Sequence, residues 1–71
     1  MYMERTNVVS SNIVSVGWDR GILEVEFKGG SVYQYSNVPK EVYYELLNSE
    51  SVGKTLNITV KGRYEYEKLS N

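Results

Sequence analysis

Aromatic side chains are the most abundant groups in this sequence that could contact a ligand. Seven tyrosines and one tryptophan occur among 71 residues. Aromatic faces stack on nucleobases, and phenol hydroxyls form hydrogen bonds with phosphate or ribose oxygens. Tyr33 and Tyr35 fit the predicted hydrophobic core, so we assign them structural roles. Tyr44, Tyr64 and Tyr66 are explained less well by packing, which makes them the aromatic candidates for ligand binding.

Residues 51–54 (Ser-Val-Gly-Lys) have side chains suited to binding an anion. A glycine after a helix allows backbone amides to point outward, and the neighbouring serine and lysine can complete an anion-binding nest. The alternative is structural, with Gly53 as an ordinary C-terminal cap of the helix. A P-loop is excluded because Asn48 stands where that motif requires its first glycine.

Residues 61–64 (Lys-Gly-Arg-Tyr) are a second candidate for anion binding. The planar guanidinium of Arg63 matches the geometry of phosphate oxygens, and the tyrosine beside it can stack or form a hydrogen bond. Residues 10–12 (Ser-Ser-Asn) would add short polar groups to the same site if the N-terminal strand lies alongside. A turn and a strand start are the structural alternatives for these segments.

The sequence contains neither histidine nor cysteine. The commonest nucleophile–base pairs, imidazole catalysis and nearly all zinc sites are therefore excluded, and no disulfide can stabilise the fold. Carboxylates, lysine and tyrosine remain, but their spacing does not indicate an active site. We expect a binding protein that is not an enzyme and that uses no cofactor or metal.

The charge distribution limits the kind of anion that this chain can bind. The net charge is −1, the isoelectric point is near 5.3, and the eight basic residues are spread along the chain. A protein that follows a long phosphate backbone usually carries a basic stripe and a raised isoelectric point. The basic residues between 54 and 68 match one or two phosphates, which is what a small nucleotide requires.

An alternating pattern predicts a β-hairpin over residues 23–35. Leu23, Val25 and Phe27 alternate with charged residues, which is typical of a strand with one buried face. The period of two resumes over residues 31–35, after a Gly-Gly pair.

Two registers are open for this hairpin. A three-residue loop with Gly30 in the left-handed region places Tyr33 and Tyr35 on the core face. A two-residue loop places the same tyrosines opposite Glu26 and Glu24. The first register is favoured because it joins the apolar residues into one face, whereas the second leaves two tyrosines in water.

The remaining pattern predicts one helix and further extended segments. Residues 12–18 form a first strand with Val14, Val16 and Trp18 on one face. Pro39 suits the first position of a helix over residues 39–48, because its missing amide proton is not needed there. Four apolar residues of that helix recur at helical spacing and should cover the sheet: Val42, Tyr43, Leu46 and Leu47.

After the helix, residues 48–53 act as a stop. Leu56, Ile58 and Val60 then alternate with polar residues, which predicts another extended segment, and Gly62 allows a turn into a short C-terminal one. The predicted fold is therefore α+β, with a small antiparallel meander covered by one helix. One domain spans residues 1–71, with residues 1–8 as a loose N-terminus.

No stretch of the sequence indicates a signal peptide or a membrane-spanning helix, which needs about 20 apolar residues. We therefore expect a cytoplasmic protein that does not associate with membranes. A core of this size supplies only a few kcal/mol of net stability, roughly 3–5, so assembly into a homo-oligomer would help the chain.

The order of these motifs resembles the KTSC domain family, whose members also occur at the C-terminus of some lysyl-tRNA synthetases. The resemblance runs from Ser10 to about Lys68. It is carried by the following segments: Ser10-Ser11-Asn12-Ile13, Gly17-Trp18, residues 23–27, Tyr33-Gln34-Tyr35, Val38-Pro39, Ser51-x-Gly53-Lys54, Asn57 and Tyr64-x-Tyr66. It implies the fold and a connection to nucleotides or nucleic acids, without an established activity.

Taken with the resemblance, the sequence predicts one ligand-binding site formed where these segments meet. The predicted residues are Ser10, Ser11, Asn12, Ser51, Gly53, Lys54, Asn57, Lys61, Arg63, Tyr64 and Tyr66. A chain this short has little room for a pocket of about 300–1,000 Å³ inside one subunit, so a site shared between subunits is expected.

Three functions remain open at this point. The first is a small protein that captures a nucleotide-type ligand, of the kind by which bacteriophages sequester host immune signalling nucleotides. The second is an RNA-binding accessory module, which the synthetase appendage suggests and the acidic isoelectric point disfavours. The third is a protein-interaction domain without a small-molecule ligand.

Overall fold

The computed structural model describes residues 3–70, with the exception of the Ser70 side chain. The two helices lie between the fourth and fifth strands in chain order. The elements are β1 (Thr6–Asn7), β2 (Ile13–Asp19), β3 (Ile22–Phe27), β4 (Val32–Tyr35), α1 (Lys40–Leu47), α2 (Val52–Thr59) and β5 (Tyr66–Ser70).

The sheet is an antiparallel meander of five strands in the order β1-β2-β3-β4-β5. The α+β fold and its central meander are therefore confirmed, and the meander is larger than expected. The segment predicted to be loose contributes β1, since Thr6 and Asn7 pair with Val16 and Ser15. The C-terminal extended segment is present as β5, which pairs with β4.

The β3–β4 hairpin has the favoured register. Val25 pairs with Tyr33 and Leu23 with Tyr35, and the amide of Phe27 donates to the carbonyl of Ser31 at 2.8 Å. Residues 28–30 form the loop, in which Gly30 has φ of 99°. The three-residue loop therefore places both tyrosines on the same face as Leu23 and Val25.

A β-bulge changes the expected face of β2. The register shifts between Ile13 and Ser15, so Ile13 pairs with Phe27 and is fully buried. Val14 was expected on the core face with Val16 and Trp18. It lies at the bulge, which interrupts the alternation that would have placed it there.

The first helix is close to its predicted position. The helix begins at Lys40, one residue later than predicted. Pro39 is its N-cap residue and not its first helical residue. Leu46 is fully buried, and the other apolar residues of the helix, Val42, Tyr43 and Leu47, are half-buried against the core. The amphipathic pattern of this helix is therefore confirmed.

The second helix corrects two predictions. Residues 52–59 are helical, and the expected extended segment around Leu56 is wrong. Val52, Leu56 and Val60 are buried at a spacing of four residues, whereas Ile58 is 61% exposed. Gly53 lies in the first turn of α2, so it is part of a helix and does not cap the end of α1.

The hydrophobic core lies between the two helices and one face of the sheet, which we call the inner face. Two cross-strand pairs of β2 and β3 lie on this face, Val16 with Val25 and Trp18 with Leu23. The buried cluster comprises Ile13, Val16, Leu23, Val25, Tyr35, Val38, Leu46, Val52, Leu56 and Val60. Phe27 is only half-buried at its edge, so it is less central to the core than expected.

The opposite face of the sheet, the outer face, carries polar residues that are nevertheless buried. Glu24 is 0% exposed and forms an ion pair with Arg5. The backbone of Glu4 passes so close to Gly17 that a Cβ there would lie 2.4 Å from the Glu4 carbonyl oxygen. Residues 4–7, which we call the N-terminal strap, therefore run from the outer face, where Glu4 and Arg5 lie against Gly17, into the edge strand β1. Within residues 3–70, no helix has the length and apolar character needed to cross a bilayer.

Candidate functional site

The largest concentration of aromatic rings borders a cavity at the β4–β5 side of the inner face. The cavity has a volume of about 460 Å³. We call it the aromatic cavity, and it is lined by Phe27, Ser31, Tyr33, Tyr35, Lys61, Gly62 and Tyr66. The volume falls within the range typical of small-molecule sites, about 300–1,000 Å³.

This cavity exists because the helices do not cover the whole sheet. The helices contact each other, and α1 packs over β2. The inner face near β5 is left open, and Tyr66 is 62% exposed there.

The rings of the aromatic cavity contact one another. The Tyr33 and Tyr35 rings are stacked, with centroids 6.4 Å apart and an interplanar angle of 19°. Tyr66 lies 5.5 Å from Tyr33 and 5.7 Å from Tyr35, and Phe27 meets Tyr33 edge-on at 5.5 Å. Such contacts hold the rings in a fixed arrangement, which reduces the entropy lost when a planar ligand stacks on them.

Two ammonium groups lie over these rings. The Nζ atom of Lys61 is 5.4 Å from the centroid of Phe27, and the Nζ atom of Lys68 is 6.0 Å from the centroid of Tyr33. Lys68 reaches the inner face because it pairs with Tyr33 in the β4–β5 ladder. Both lysines are exposed, so their charges are accessible to an anion at the rim of the cavity.

Burial raises the pKa of the Tyr35 hydroxyl to about 12, with smaller contributions from the nearby Tyr33 and Tyr66 phenols. The ionised form is disfavoured because a buried phenolate loses hydration. Tyr35 therefore stays a neutral phenol at physiological pH and can donate a hydrogen bond.

A shallow groove adjoins the aromatic cavity and shares Gly62 and Tyr66 with it. Arg63, Tyr64 and Glu65 form the rest of this groove. The turn between α2 and β5 depends on Gly62, whose φ of 80° is in the left-handed region. The Nε of Arg63 donates to the Ile58 carbonyl at 3.0 Å, which caps the end of α2.

Seven of the predicted site residues meet elsewhere, in a polar cleft between the loop before β2 and the start of α2. The cleft has a volume of about 550 Å³. These residues are Ser10, Ser11, Asn12, Ser51, Gly53, Lys54 and Asn57. The fold therefore brings the N-terminal polar segment beside residues 51–57, and not beside residues 61–64, with which the sequence analysis grouped it.

Hydrogen bonds within the chain account for much of the polar character of this cleft. The Ser10 hydroxyl accepts hydrogen bonds from the amides of Asn12 and Ile13, each at 3.2 Å. Gly53 has a φ outside the left-handed region, and a Cβ there would make ordinary contacts of 3.7 Å. The geometry therefore does not require glycine at this position.

The predicted site residues thus form two groups. Of the cavities described above within residues 3–70, none is lined by members of both groups. The polar cleft holds the seven residues between positions 10 and 57, whereas Lys61, Arg63, Tyr64 and Tyr66 border the aromatic cavity and its adjoining groove.

Sequence reasoning missed most of the aromatic lining, since it assigned Tyr33 and Tyr35 to the core alone. The Tyr-x-Tyr spacing places both rings on one face of β4, and Tyr66 with Lys68 has the same spacing on β5. That pairing of alternating patterns is the signal in the sequence for a shared surface. Residues 3–70 contain no group of acidic side chains placed to hold a metal ion.

Comparison with known proteins identifies the family. The model of the KTSC domain matches residues 9–64 of this chain. In the solved structures, a KTSC domain protein from Yersinia pestis superposes with a TM-score of 0.87 at 31% sequence identity. The match covers 94% of this chain and 97% of the Yersinia protein.

Related sequences occur both as small proteins and within larger ones. A protein of Stutzerimonas stutzeri is 40% identical over 70 residues, which covers 94% of this chain and 99% of the relative. A lysine–tRNA ligase of Nostoc punctiforme is 44% identical over 48 residues, or 68% of this chain. The matched segment makes up only 9% of that ligase.

Proposed function

The chain belongs to the KTSC domain family, and we propose that it is a non-catalytic protein that binds a nucleotide-type ligand in the aromatic cavity. The observation that carries the proposal is that four aromatic rings and Lys61 line one opening, with the Lys68 ammonium group over one of those rings. This combination suits a ligand with a planar ring and an anionic group.

The planar part of the ligand would stack on the exposed ring of Tyr66. That ring lies at the rim of the cavity and its neighbours hold it in place, so a base can reach it without displacing core residues. Base stacking on an aromatic side chain contributes about 1–3 kcal/mol per base. The Tyr35 phenol, which stays protonated, offers a hydrogen-bond donor inside the same cavity.

The phosphate would be bound by the lysines at the rim. Lys61 approaches the rings from the α2–β5 turn and Lys68 from β5, so a phosphate at this rim would be attracted by both charges. Charge-assisted hydrogen bonds contribute about 1.5–3 kcal/mol each. Arg63 in the adjoining groove would bind a second phosphate through the guanidinium nitrogens that do not contact Ile58.

A protein with this site acts by holding its ligand. The cavity contains no histidine or cysteine, since the sequence has none. Within this proposal the protein sequesters a nucleotide, such as an immune signalling nucleotide, and each chain of a homo-oligomer carries its own aromatic cavity. Ligand released by denaturing the complex should be chemically unchanged by mass spectrometry, and a hydrolysed product would contradict a non-catalytic role.

The test is a thermal-shift and calorimetric panel of mononucleotides, cyclic nucleotides and short oligonucleotides. A ligand at a hundred times its Kd should add about 2.7 kcal/mol to the free energy of unfolding. Lys61→Ala should weaken binding of the best panel member at least tenfold, because about 1.4 kcal/mol corresponds to a factor of ten. Tyr66→Ala should do the same, whereas Tyr66→Phe should retain most of the affinity.

Lys54→Ala is the matched control, since Lys54 is an exposed lysine that lies in the polar cleft. We expect it to bind like the wild type. Equal losses from Lys54→Ala and Lys61→Ala would place the site elsewhere, and a panel without any stabilising compound would refute the proposed function.

RNA binding is the second candidate, and the match to a segment of lysine–tRNA ligases favours it. The name of those relatives refers to tRNA, and aromatic platforms also bind single-stranded nucleic acid. Salt dependence separates the two functions, because affinity for a nucleic acid falls steeply with salt in proportion to the number of phosphates contacted. A slope that corresponds to one or two phosphates supports the nucleotide.

A further inference from the structure

The hydroxyl of Tyr35 is a polar group that faces the aromatic cavity without a partner in the chain. Tyr35 is only 3% exposed and lines the cavity. Its ring contacts Tyr33 and Tyr66, but its hydroxyl forms no hydrogen bond with any of residues 3–70. The oxygen is not sealed inside the protein, since these residues contain no enclosed polar side-chain atom that lacks a partner. It therefore opens into the cavity.

A hydroxyl in this position favours a ligand that forms a hydrogen bond with it. Buried polar side chains in proteins nearly always have a hydrogen-bond partner, because an unpaired one loses the bonds that it makes in water. The neutral phenol of Tyr35 has one proton to donate. The cavity is therefore suited to a ligand that brings a hydrogen-bond acceptor to this hydroxyl.

The aromatic cavity has a charged end and a neutral end. It runs beside β4 from Ser31 to Tyr35, and four residues of extended strand span about 13 Å. Phe27 lies at the Ser31 end, where its amide donates to the Ser31 carbonyl, and the Nζ atom of Lys61 is 5.4 Å from its ring centroid. Tyr66 lies at the other end, because it pairs with Tyr35 in the β4–β5 ladder.

The ionisation of Tyr35 agrees with this separation. An ammonium group beside a phenol stabilises the phenolate and lowers the pKa. The pKa of Tyr35 is raised instead, first by burial and then by the Tyr33 and Tyr66 phenols. Neutral groups therefore set the electrostatic environment at the Tyr35 end.

The two ends suit different parts of a nucleotide. A phosphate keeps much of its hydration beside the exposed Lys61, whereas burial beside neutral phenols would remove that hydration. A nucleobase carries no charge, and its ring nitrogens and carbonyl oxygens accept hydrogen bonds. A planar anion without such an acceptor would leave the Tyr35 hydroxyl unpaired, and unpaired polar groups in a site reduce affinity.

We propose that the aromatic cavity binds a nucleotide in one orientation, with the base at Tyr35 and the phosphate at Lys61. The Tyr35 hydroxyl donates to a ring nitrogen or carbonyl oxygen of the base, and it thereby selects nucleobases over planar anions that carry no acceptor. Tyr35 determines specificity, while the exposed ring of Tyr66 provides stacking. This inference rests on the proposed function, since it requires the cavity to bind a nucleotide.

The test measures binding of adenosine 5′-monophosphate and of adenosine to Tyr35→Phe and Lys61→Ala by calorimetry. Tyr35→Phe removes one oxygen atom and keeps the ring. It should weaken both probes by the same factor, about three- to tenfold, because the base is present in both. Lys61→Ala should weaken the monophosphate at least tenfold and leave adenosine unchanged. Only a base and a phosphate at opposite ends of the cavity give this crossed pattern.

Deaza analogues identify the acceptor on the base. The 1-deaza, 3-deaza and 7-deaza forms of adenosine 5′-monophosphate each replace one ring nitrogen by a C–H group. One of the three should bind the wild type about three- to tenfold more weakly than the parent compound, and Tyr35→Phe should bind that analogue and the parent equally. Phenyl phosphate, which has no ring acceptor, should bind the wild type no more tightly than it binds Tyr35→Phe.

Tyr43→Phe is the matched control, because Tyr43 is a half-buried tyrosine of α1 that does not line the aromatic cavity. We expect it to bind every probe like the wild type. The melting temperature of Tyr35→Phe should stay within about 4 °C of the wild-type value, since a hydroxyl without a partner in the chain contributes little to stability. A larger fall would show a structural role for the hydroxyl and would overturn the inference.

The binding results separate this inference from the proposed function. Full affinity of Tyr35→Phe for adenosine 5′-monophosphate, or equal affinity of the wild type for the parent and all three deaza analogues, would overturn the inference alone. A loss in Tyr35→Phe that is confined to the monophosphate would place the phosphate at Tyr35 and overturn the orientation. A wild-type protein that binds neither adenosine 5′-monophosphate nor adenosine would count against the proposed function itself.

Discussion

Because residues 52–59 are helical, Leu56 and Ile58, which lie two positions apart, should contribute very differently to the free energy of unfolding. In a strand both side chains would point to the same face and contribute equally to the core. In the structure Leu56 is 1% exposed and Ile58 is 61% exposed. Truncation of each residue to alanine therefore distinguishes the helix from the extended segment.

The expected magnitudes follow from these exposures. Replacing a buried leucine by alanine costs about 2–5 kcal/mol, through lost transfer free energy and the remaining cavity. The net stability of a domain of this size is roughly 3–5 kcal/mol, so Leu56→Ala should leave much of the protein unfolded at room temperature. Ile58→Ala should change stability by less than about 0.5 kcal/mol, since the side chain is in water and alanine favours a helix.

Urea denaturation followed by far-UV circular dichroism measures both values. The reasoning requires a difference of at least about 1.5 kcal/mol between the two variants. Equal losses from Leu56→Ala and Ile58→Ala would refute the helix and restore the extended segment.

Three further predictions concern ionisation, helix propensity and the cationic groove. Burial raises the pKa of Tyr35 to about 12, so the neutral phenol stabilises the folded state below pH 10. This stabilisation is lost between pH 10 and 12, because Tyr35 ionises first in the unfolded chain. In urea titrations across that range we expect the free energy of unfolding to fall by roughly 1–2 kcal/mol, and we expect no such fall in Tyr35→Phe. Gly53→Ala should raise the free energy of unfolding by about 0.4–1 kcal/mol, since the site is helical and the added Cβ makes ordinary contacts; a loss of stability in thermal melts would contradict this packing. Arg63→Ala should weaken binding of adenosine 5′-diphosphate, which carries the second phosphate, at least tenfold by calorimetry, whereas full affinity would remove Arg63 from the site.

The alternation of apolar and charged residues over 23–27, together with its resumption at 31–35, was sufficient to predict the hairpin and its register. Burial of one face fixes the register of a strand, because a slip of one residue moves every side chain to the other face. The first helix was predictable for a similar reason, since Pro39 marks its start and four apolar residues recur at helical spacing.

The same reasoning failed over residues 52–60, because a period of two and a period of four both pass through Leu56 and Val60. The exposure of Ile58, which a period of two would bury together with Leu56 and Val60, shows that the helical period applies. The bulge in β2 is likewise a tertiary result, since it exchanges Val14 for Ile13 in the core without a mark in the sequence.

The sequence by itself determined which residue types were available to the candidate site: many phenols, a few cations, and no imidazole or thiol. Tertiary structure decided how they are grouped. Tyr66 and Lys68 join Tyr33 and Tyr35 because β5 pairs with β4 across the two intervening helices. The site is open because the helices pack on each other and over β2, which leaves the inner face near β5 exposed. Contacts between residues distant in the chain set both features, and local sequence patterns carry no information about those distances.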